Sequence, residues 1–195
     1  MQYRPFIEIL PNVSLRPPDL KMAESLFETI QENFTHLSRF LDFITEDLTV
    51  DVEKSYLKMM IQHQAESKGQ LFLIYYEDEL IGTIDLHKID LKNKKAEIGY
   101  WLAKGYTGKR IATESVVFIC HYAFEILELN KLTIIADVRN TASNKVAENA
   151  GFHFVATDIQ DMYDGENYQD MNRYILLKNQ FDLTDISYDI KQTKR

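Results

Sequence analysis

The chain is predicted to fold as one α/β domain, with helices layered on a twisted mixed sheet of about six to seven strands. Three observations predict it. Its 195 residues suit a single domain with one substantial core. Apolar residues at 45% and charged residues at 27% are the balance of a globular protein. The third observation is the order of periodicities: strand, helices, three strands in succession, helix, strand, helix, two strands. Strands joined by short turns pair antiparallel, whereas a strand–helix–strand unit needs a crossover and favours parallel pairing. Both kinds of connection occur, so the sheet should be mixed.

Each element follows from its period and its punctuation. VSLRPP (13–18) reads as a short strand, ended by two prolines that cannot extend a ladder. Asp19 is placed as an N-cap, and Leu20, Ala23, Leu26, Phe27 and Ile30 recur at helical spacing. Residues 36–44 repeat that spacing with Leu37, Phe40, Leu41 and Ile44, and a third helix is expected over about 52–67, stopping before Gly69. The period then changes to two. Residues 71–76, 80–87 and 96–103 read as three strands separated by polar turns, a meander. A helix follows from the stretch 105–115 to about Leu129, with Ile111, Val116, Ile119, Cys120, Ala123, Phe124 and Leu127 on its apolar face. Residues 131–138 form a strand, 142–149 a short helix closed by Gly151, and 153–157 and 170–178 two last strands. The domain is expected over 1–180, with 181–195 a polar, loosely held tail.

Composition excludes several functions. A formal net charge of −8 argues against a general nucleic-acid binder, whose phosphate contacts need clustered Lys and Arg. An acidic surface suits a basic acceptor such as an amine or a basic protein, and equally suits mere solubility. The single cysteine, Cys120, lies in the apolar run SVVFICHYAF and reads as a buried core thiol. The five histidines make no HxxxH or HExxH pair, so no metal is expected. No run approaches the roughly 18 apolar residues of a membrane span, and the opening MQYRPFIEIL has no apolar signal region. Together these point to the cytoplasm.

The stretch GYTGKRIATES, at 105–115, sits between a strand and a helix. Unpaired N–H groups at a helix start suit a phosphate, Gly105 and Gly108 allow close backbone approach, and Lys109 and Arg110 add charge. By itself the stretch is equally an ordinary tight turn, and it matches neither a P-loop nor GxGxxG. A second string, NTASNKVAENAGF at 140–152, follows the next strand. Taken together, the blocks AEIGYWL, TGKRIA and NTASNKVAENAGF resemble the GNAT acetyltransferases. The nearest branch is the RimJ/RimL type, which acetylates ribosomal-protein N-termini. The resemblance spans roughly residues 10–178.

That resemblance implies the GNAT fold, in which a bulge in the fourth strand splays it from the fifth. It implies acetyl-coenzyme A as co-substrate and direct attack by an amine in a ternary complex. The pantetheine arm is then expected against Trp101, Leu102 and Ala103, and the pyrophosphate at Gly108, Lys109, Arg110, Ile111 and Ala112. Asn140, with Asn144, is expected at the pantetheine or cysteamine end. A backbone N–H near Leu102 is the candidate oxyanion donor. Ser143 is the candidate proton donor to the leaving thiolate, with a helix N-cap as its alternative role. Glu97 is the candidate base, with Asp85 or a water relay as alternatives. The sequence departs from the pattern at four places. Thr107 and Arg110 replace an Arg or Gln and a Gly of the phosphate motif. Ala147 stands where many relatives have a catalytic Tyr, and Met162 where the branch has a glutamate. The acceptor reading is a protein N-terminus, as on a ribosomal protein. The alternatives are a small amine (polyamine or aminoglycoside) and a non-catalytic acyl-CoA-binding module. Homodimers are implied as frequent in the branch, and neither a nucleic-acid nor a membrane partner is expected.

Overall fold

Residues 3–181 and 190–194 are described by the structure, a computed structural model, with the side chains of 6–181. Among these residues nine strands join one sheet: β1 (Tyr3–Leu10), β2 (Val13–Arg16), β3 (Gln70–Tyr76), β4 (Glu79–Asp90), β5 (Lys95–Leu102), β6 (Lys131–Asp137), β7 (His153–Tyr163), β8 (Tyr168–Leu177) and β9 (Ile190–Lys194). The helices are α1 (Ala23–Glu32), α2 (Phe34–Leu37), α3 (Val50–Ala65), α4 (Ile111–His121) and α5 (Thr141–Asn149). In space the strands run β7-β8-β6-β5-β4-β3-β2-β1-β9. Only the β5–β6 pair is parallel. That is the pair joined through the α4 crossover, as the alternation of short turns and crossovers requires.

Three expectations change. The sheet has nine strands instead of six or seven. Pro5 punctuates β1 in the sequence, and IKQTK of β9 carries no period-two pattern, so neither shows as a strand. Of the expected tail, 190–194 pair with β1, and 182–189 lie outside the described residues. The helix expected over 36–44 is only the single turn α2. Beyond it the chain advances by i to i+3 turns, Phe40 N–H to Leu37 O, Ile44 N–H to Leu41 O and Leu48 N–H to Thr45 O. These turns still bury Leu37, Ile44 and Leu48, so the apolar spacing reports burial correctly but not the helix. Asp19 does cap, but it caps a 3-10 turn, Leu20–Met22, that leads into α1.

The strand period of two divides the sheet into faces with separate partners. Leu71, Leu73 and Tyr75 of β3 and Trp101 of β5 pack with Leu26 and Ile30 of α1 and Leu57 and Met60 of α3. Phe72, Ile74, Ile84, Leu86, Ile98 and Leu102 pack on the opposite face with Val116, Ile119 and Phe124. Cys120 is fully buried there, so the core-thiol reading holds.

What positions the site is an interruption of this sheet. β5 pairs with β6 only through Lys95–Lys131, Ala96–Leu132 and Glu97–Thr133. Past Thr133, β6 continues against β8 as far as Asp137–Met171, while β5 continues against β4 as far as Leu102–Gly82. The two strands therefore part, as the resemblance implies. The accompanying register shift lies on β4 and not on β5. Between the pairs His87–Glu97 and Asp90–Lys95, β4 carries one extra residue, and Lys88 there takes φ of 50°. Such a bulge increases local twist and turns the strand pair away from its neighbour.

Gly82 keeps β4 close to β5 at the open end. A Cβ there would collide with the Trp101 carbonyl and press on Leu102. Gly82→Ala is expected to destabilise the fold by about 1–3 kcal/mol, read as a lower urea midpoint, and to weaken coenzyme A binding. An unchanged midpoint would show that β5 is not held there by this close approach.

Candidate active site

The parted strands open on a groove of about 1110 Å³. Its walls are the end of β5, the starts of α4 and α5, and the turns around α2. Five cations line it against one carboxylate, Glu32; Arg110 and Arg139 are paired with Glu114 and Asp137, and Arg39, Lys104 and Lys145 add to the excess of positive charge. In a chain of net charge −8 this is a local reversal of sign, suited to a polyanion. The end towards α2 is apolar, with Phe34, Leu37, Phe40 and Leu41.

Backbone donors fill the middle of the groove. Ala103 N–H donates to Ile81 O across the β4–β5 ladder. Backbone groups alternate sides along a strand, so those of Trp101 also point to β4, and those of Tyr100 and Leu102 point into the gap. Of the three expected pantetheine contacts, Leu102 presents free backbone, Trp101 lines the groove without it, and the Ala103 amide is already used. At the start of α4, among the described residues, no group accepts from the N–H of Gly108, Ile111, Ala112 or Thr113. Such orphan amides, at the positive end of a helix, are of the kind that suits a phosphate.

The departures from the motif have structural reasons. Thr107 donates its hydroxyl to Lys104 O and closes the turn that leads out of β5. Arg110 does not enter α4 with a helical backbone. It is instead left-handed, with φ 64°, the conformation for which the motif's glycine is suited. Its guanidinium is 80% exposed and pairs with Glu114 at 2.8 Å, so the side chain is turned along α4. Lys109 stands over the Tyr106 ring at 4.9 Å and does not line the groove.

At the start of α5 the Asn140 side chain accepts from Ser143 N–H at 3.1 Å and is therefore the N-cap. This removes the capping role considered for Ser143. The Ser143 hydroxyl instead lies 3.0 Å from the Tyr100 hydroxyl, which also donates to Ser143 O at 3.1 Å. Burial pushes Tyr100 up to about 12, so it stays a phenol and a donor. The two residues are 43 positions apart, and only the fold brings Tyr100 to Ser143. Asn144 is buried and fully engaged, donating to Asp137 O and Asn140 O and accepting from Asn172 and Tyr174. It braces α5 on the sheet and does not line the groove. Ala147 is buried and Met162 pairs with Gln169 in the exposed β7–β8 hairpin, so neither brings a titratable group to the groove.

Glu97 lies on the other face of β5. Its carboxylate accepts from Lys88 at 2.9 Å and stands 3.5 Å from His87 Nε2, while His87 Nδ1 meets Asp85 at 2.7 Å. The hydrogen bond to His87, aided by Lys88 and opposed by burial, holds Glu97 down at about 2. Burial disfavours the imidazolium, but the two carboxylates outweigh it and raise His87 to about 9. Among the described residues no cluster of His, Cys, Asp and Glu is arranged for a metal ion, and no helix is long and apolar enough to cross a membrane.

A model of the GNAT acetyltransferase domain matches residues 12–153. The chain belongs to the GNAT family. YdaF of Bacillus subtilis (strain 168) is 34% identical over 172 residues, 88% of this chain and 94% of that protein. The ribosomal-protein-serine acetyltransferase of Escherichia coli (strain K12) is 30% identical over 171 residues, 86% and 94% of the two chains. A solved structure of RimL, a ribosomal L7/L12 α-N-protein acetyltransferase, in complex with coenzyme A superposes with a TM-score of 0.83. It is 25% identical and covers 88% of this chain and 97% of that one. This GNAT protein is an N-acetyltransferase, and its co-substrate is acetyl-coenzyme A. The residues present fit that molecule, with orphan amides and cations for the phosphates and the unpaired edge of β5 for the pantetheine amides.

Two expectations follow for this site. A left-handed non-glycine costs about 1–2 kcal/mol, and the exposed ion pair lost with it is worth under about 0.5 kcal/mol. Arg110→Gly should therefore raise Tm by about 2–4 °C, with the affinity for coenzyme A changed less than about fivefold. Arg110→Ala, which keeps the strain, should not raise it. The second concerns pH. His87 is raised, so its contribution to stability is complete below about pH 6.5 and lost as pH rises through 9. Glu97 is depressed, so its contribution is complete above about pH 4.5 and lost towards 2. The advantage of wild type over His87→Gln in urea midpoint should peak between about pH 4.5 and 6.5 and shrink on both sides; a constant difference would contradict this.

Proposed function

We propose that the protein acetylates the N-terminal amine of a ribosomal protein, the amine attacking acetyl-coenzyme A directly with both bound. The observation that carries this reading is the two-ended groove. Its cationic end fits the phosphates of the co-substrate, and its open apolar end, with Phe34, Leu37 and Phe40, fits the first residues of a peptide. The relatives named for ribosomal-protein acetylation support the choice of acceptor. Such an acceptor places the enzyme in the cytoplasm. Homodimerisation belongs to the same proposal, supported by exposed Phe154, Val155, Ile159 and Tyr163 on the edge strand β7.

In this reading the backbone N–H groups of Tyr100 and Leu102 steady the charge that develops on the acyl oxygen. The Ser143 hydroxyl gives its proton to the leaving sulfur, and Tyr100, hydrogen-bonded to it, holds that hydroxyl in place. Asn140 fixes the backbone of Ser143 by capping α5. Glu97, held near 2 within its pair, is too weak a base to deprotonate an ammonium group, and its part is to hold His87.

Thiol release from acetyl-coenzyme A over a panel of Ser-led and Ala-led peptides, spermidine and an aminoglycoside tests the acceptor. Peptides should be turned over, whereas turnover of spermidine alone would overturn the reading. Tight coenzyme A binding with no turnover on any acceptor would favour a non-catalytic module. Ser143→Ala should lower kcat by about 100-fold with coenzyme A affinity unchanged; a loss well under tenfold would remove the hydroxyl as proton donor.

A further inference from the structure

Past the point where β5 and β6 part, two consecutive side chains in the first turn of α5 tie the two sides of the gap together. Ser143 meets the β5 side, where the Tyr100 phenol lies 3.0 Å from its hydroxyl and donates to its carbonyl at 3.1 Å. Asn144 meets the β6–β8 side. Its Nδ2 donates to Asp137 O, at the end of β6, at 2.9 Å and to Asn140 O at 2.8 Å. Its Oδ1 accepts from Asn172 Nδ2 and from the Tyr174 phenol, both on β8 and both at 2.8 Å. Successive residues of a helix project about 100° apart, so one turn can serve both walls.

These four bonds saturate the Asn144 amide and allow it one orientation only. Turned over, its oxygen would face two carbonyls and its nitrogen the amide nitrogen of Asn172. Asn144 is 8% exposed and Tyr174 3%, so a bond lost here leaves a polar group unmet and out of water. Asn172 is fixed in turn, accepting from Thr157 Oγ1 of β7 at 2.7 Å. What the Asn144 side chain holds is the turn 137–140, because its two carbonyl partners are the first and last residues of that turn. The turn ends in Asn140, whose side chain accepts from Ser143 N–H, so the backbone that carries the Ser143 hydroxyl is set from β6 and β8. Asn144 itself does not line the groove.

We propose that Asn144 is a positioning residue for acetyl transfer. It anchors the first turn of α5 to β6 and β8, and so holds the Ser143 hydroxyl, met from β5 by Tyr100, at the gap where the thiolate leaves. The proposal rests on the reading of Ser143 as the proton donor. Asn144 exchanges no proton and touches no reacting atom; its effect passes through Ser143 alone. Tyr100 cannot supply this hold by itself, because past the last β5–β6 pair its strand is no longer tied to β6. The donors of the amide matter more than its bulk. Asn144→Asp keeps the shape of the side chain but sets an oxygen against the two carbonyls of the turn, so it should free the turn as an alanine does.

The test is a double-mutant cycle on the full chain, with acetyl-coenzyme A and a Ser-led tripeptide amide. Asn144→Ala should lower kcat by about 10- to 100-fold, with KM for acetyl-coenzyme A changed less than about threefold. In a Ser143→Ala background the same substitution should cost less than about threefold, since the hydroxyl it positions is gone. Asn144→Asp should match Asn144→Ala at about pH 8 and, relative to wild type, regain part of kcat towards about pH 5.5, where a protonated carboxyl recovers one donor. Asn172→Ala, at a half-buried position, should lose about two- to tenfold, again only when Ser143 is present, and it decides the cycle if the Asn144 variants do not fold. Equal losses in the two backgrounds, or an unchanged kcat, would overturn the proposal. Ser143→Ala with wild-type turnover, or a wild type idle on every amine, would instead sink the reading of Ser143, and amide exchange then decides the anchoring by itself. In Asn144→Ala, exchange should be about tenfold faster or more at Ser143 and Asn144, with Val116 and Ile119 unchanged; unchanged exchange at Ser143 would overturn it.

Discussion

One constraint organises this molecule: β6 keeps its pairing with β8 while β5 keeps its pairing with β4, and past Thr133 they cannot also pair with each other. Two lengths of strand backbone then face a gap inside a sheet, where unmet N–H and C=O groups are costly. The extra residue of β4 near Lys88 supplies the twist, and Gly82 lets β5 lie tight against β4 beyond it. A ligand whose own amides replace the missing strand resolves the cost. The pantetheine arm of the co-substrate is such a ligand.

The faces of the sheet divide the chemistry on either side of that gap. The α4–α5 face supplies orphan amides, cations and the Ser143–Tyr100 hydroxyl pair, which suit phosphates and a leaving thiolate. The α1–α3 face carries carboxylates, with Asp85 and Glu97 around His87. Net charge alone shows only the acidic sum. The fold gathers positive charge at the groove in spite of that sum.

Much of this was legible in the sequence because the decisive blocks are local. EIGYWLA, TGKRIA and NTASNKVAENAGF encode a strand end, a turn into a helix and a capped helix in turn, and their order carries the family resemblance and with it the co-substrate. What was not legible depends on distant partners or on backbone angles. Nothing in the sequence tells that Arg110 is left-handed, since it replaces the glycine that would have signalled it. Tyr100 and Ser143 meet across 43 positions. The resemblance put Asn144 beside Asn140 at the co-substrate, yet its amide is consumed by Asp137, Asn140, Asn172 and Tyr174. The helix over 36–44 failed because a short apolar spacing is also met by successive tight turns.

The central claim is that the gap between β5 and β6 is the seat of the co-substrate. Residue-resolved amide hydrogen exchange, with and without acetyl-coenzyme A, tests it most directly. Binding should slow exchange at Tyr100 and Leu102 and at Ile111, Ala112 and Thr113, with little change at Trp101 and Ala103, which are already paired to β4. Protection confined to other segments, or equal protection along all of β5, would contradict it.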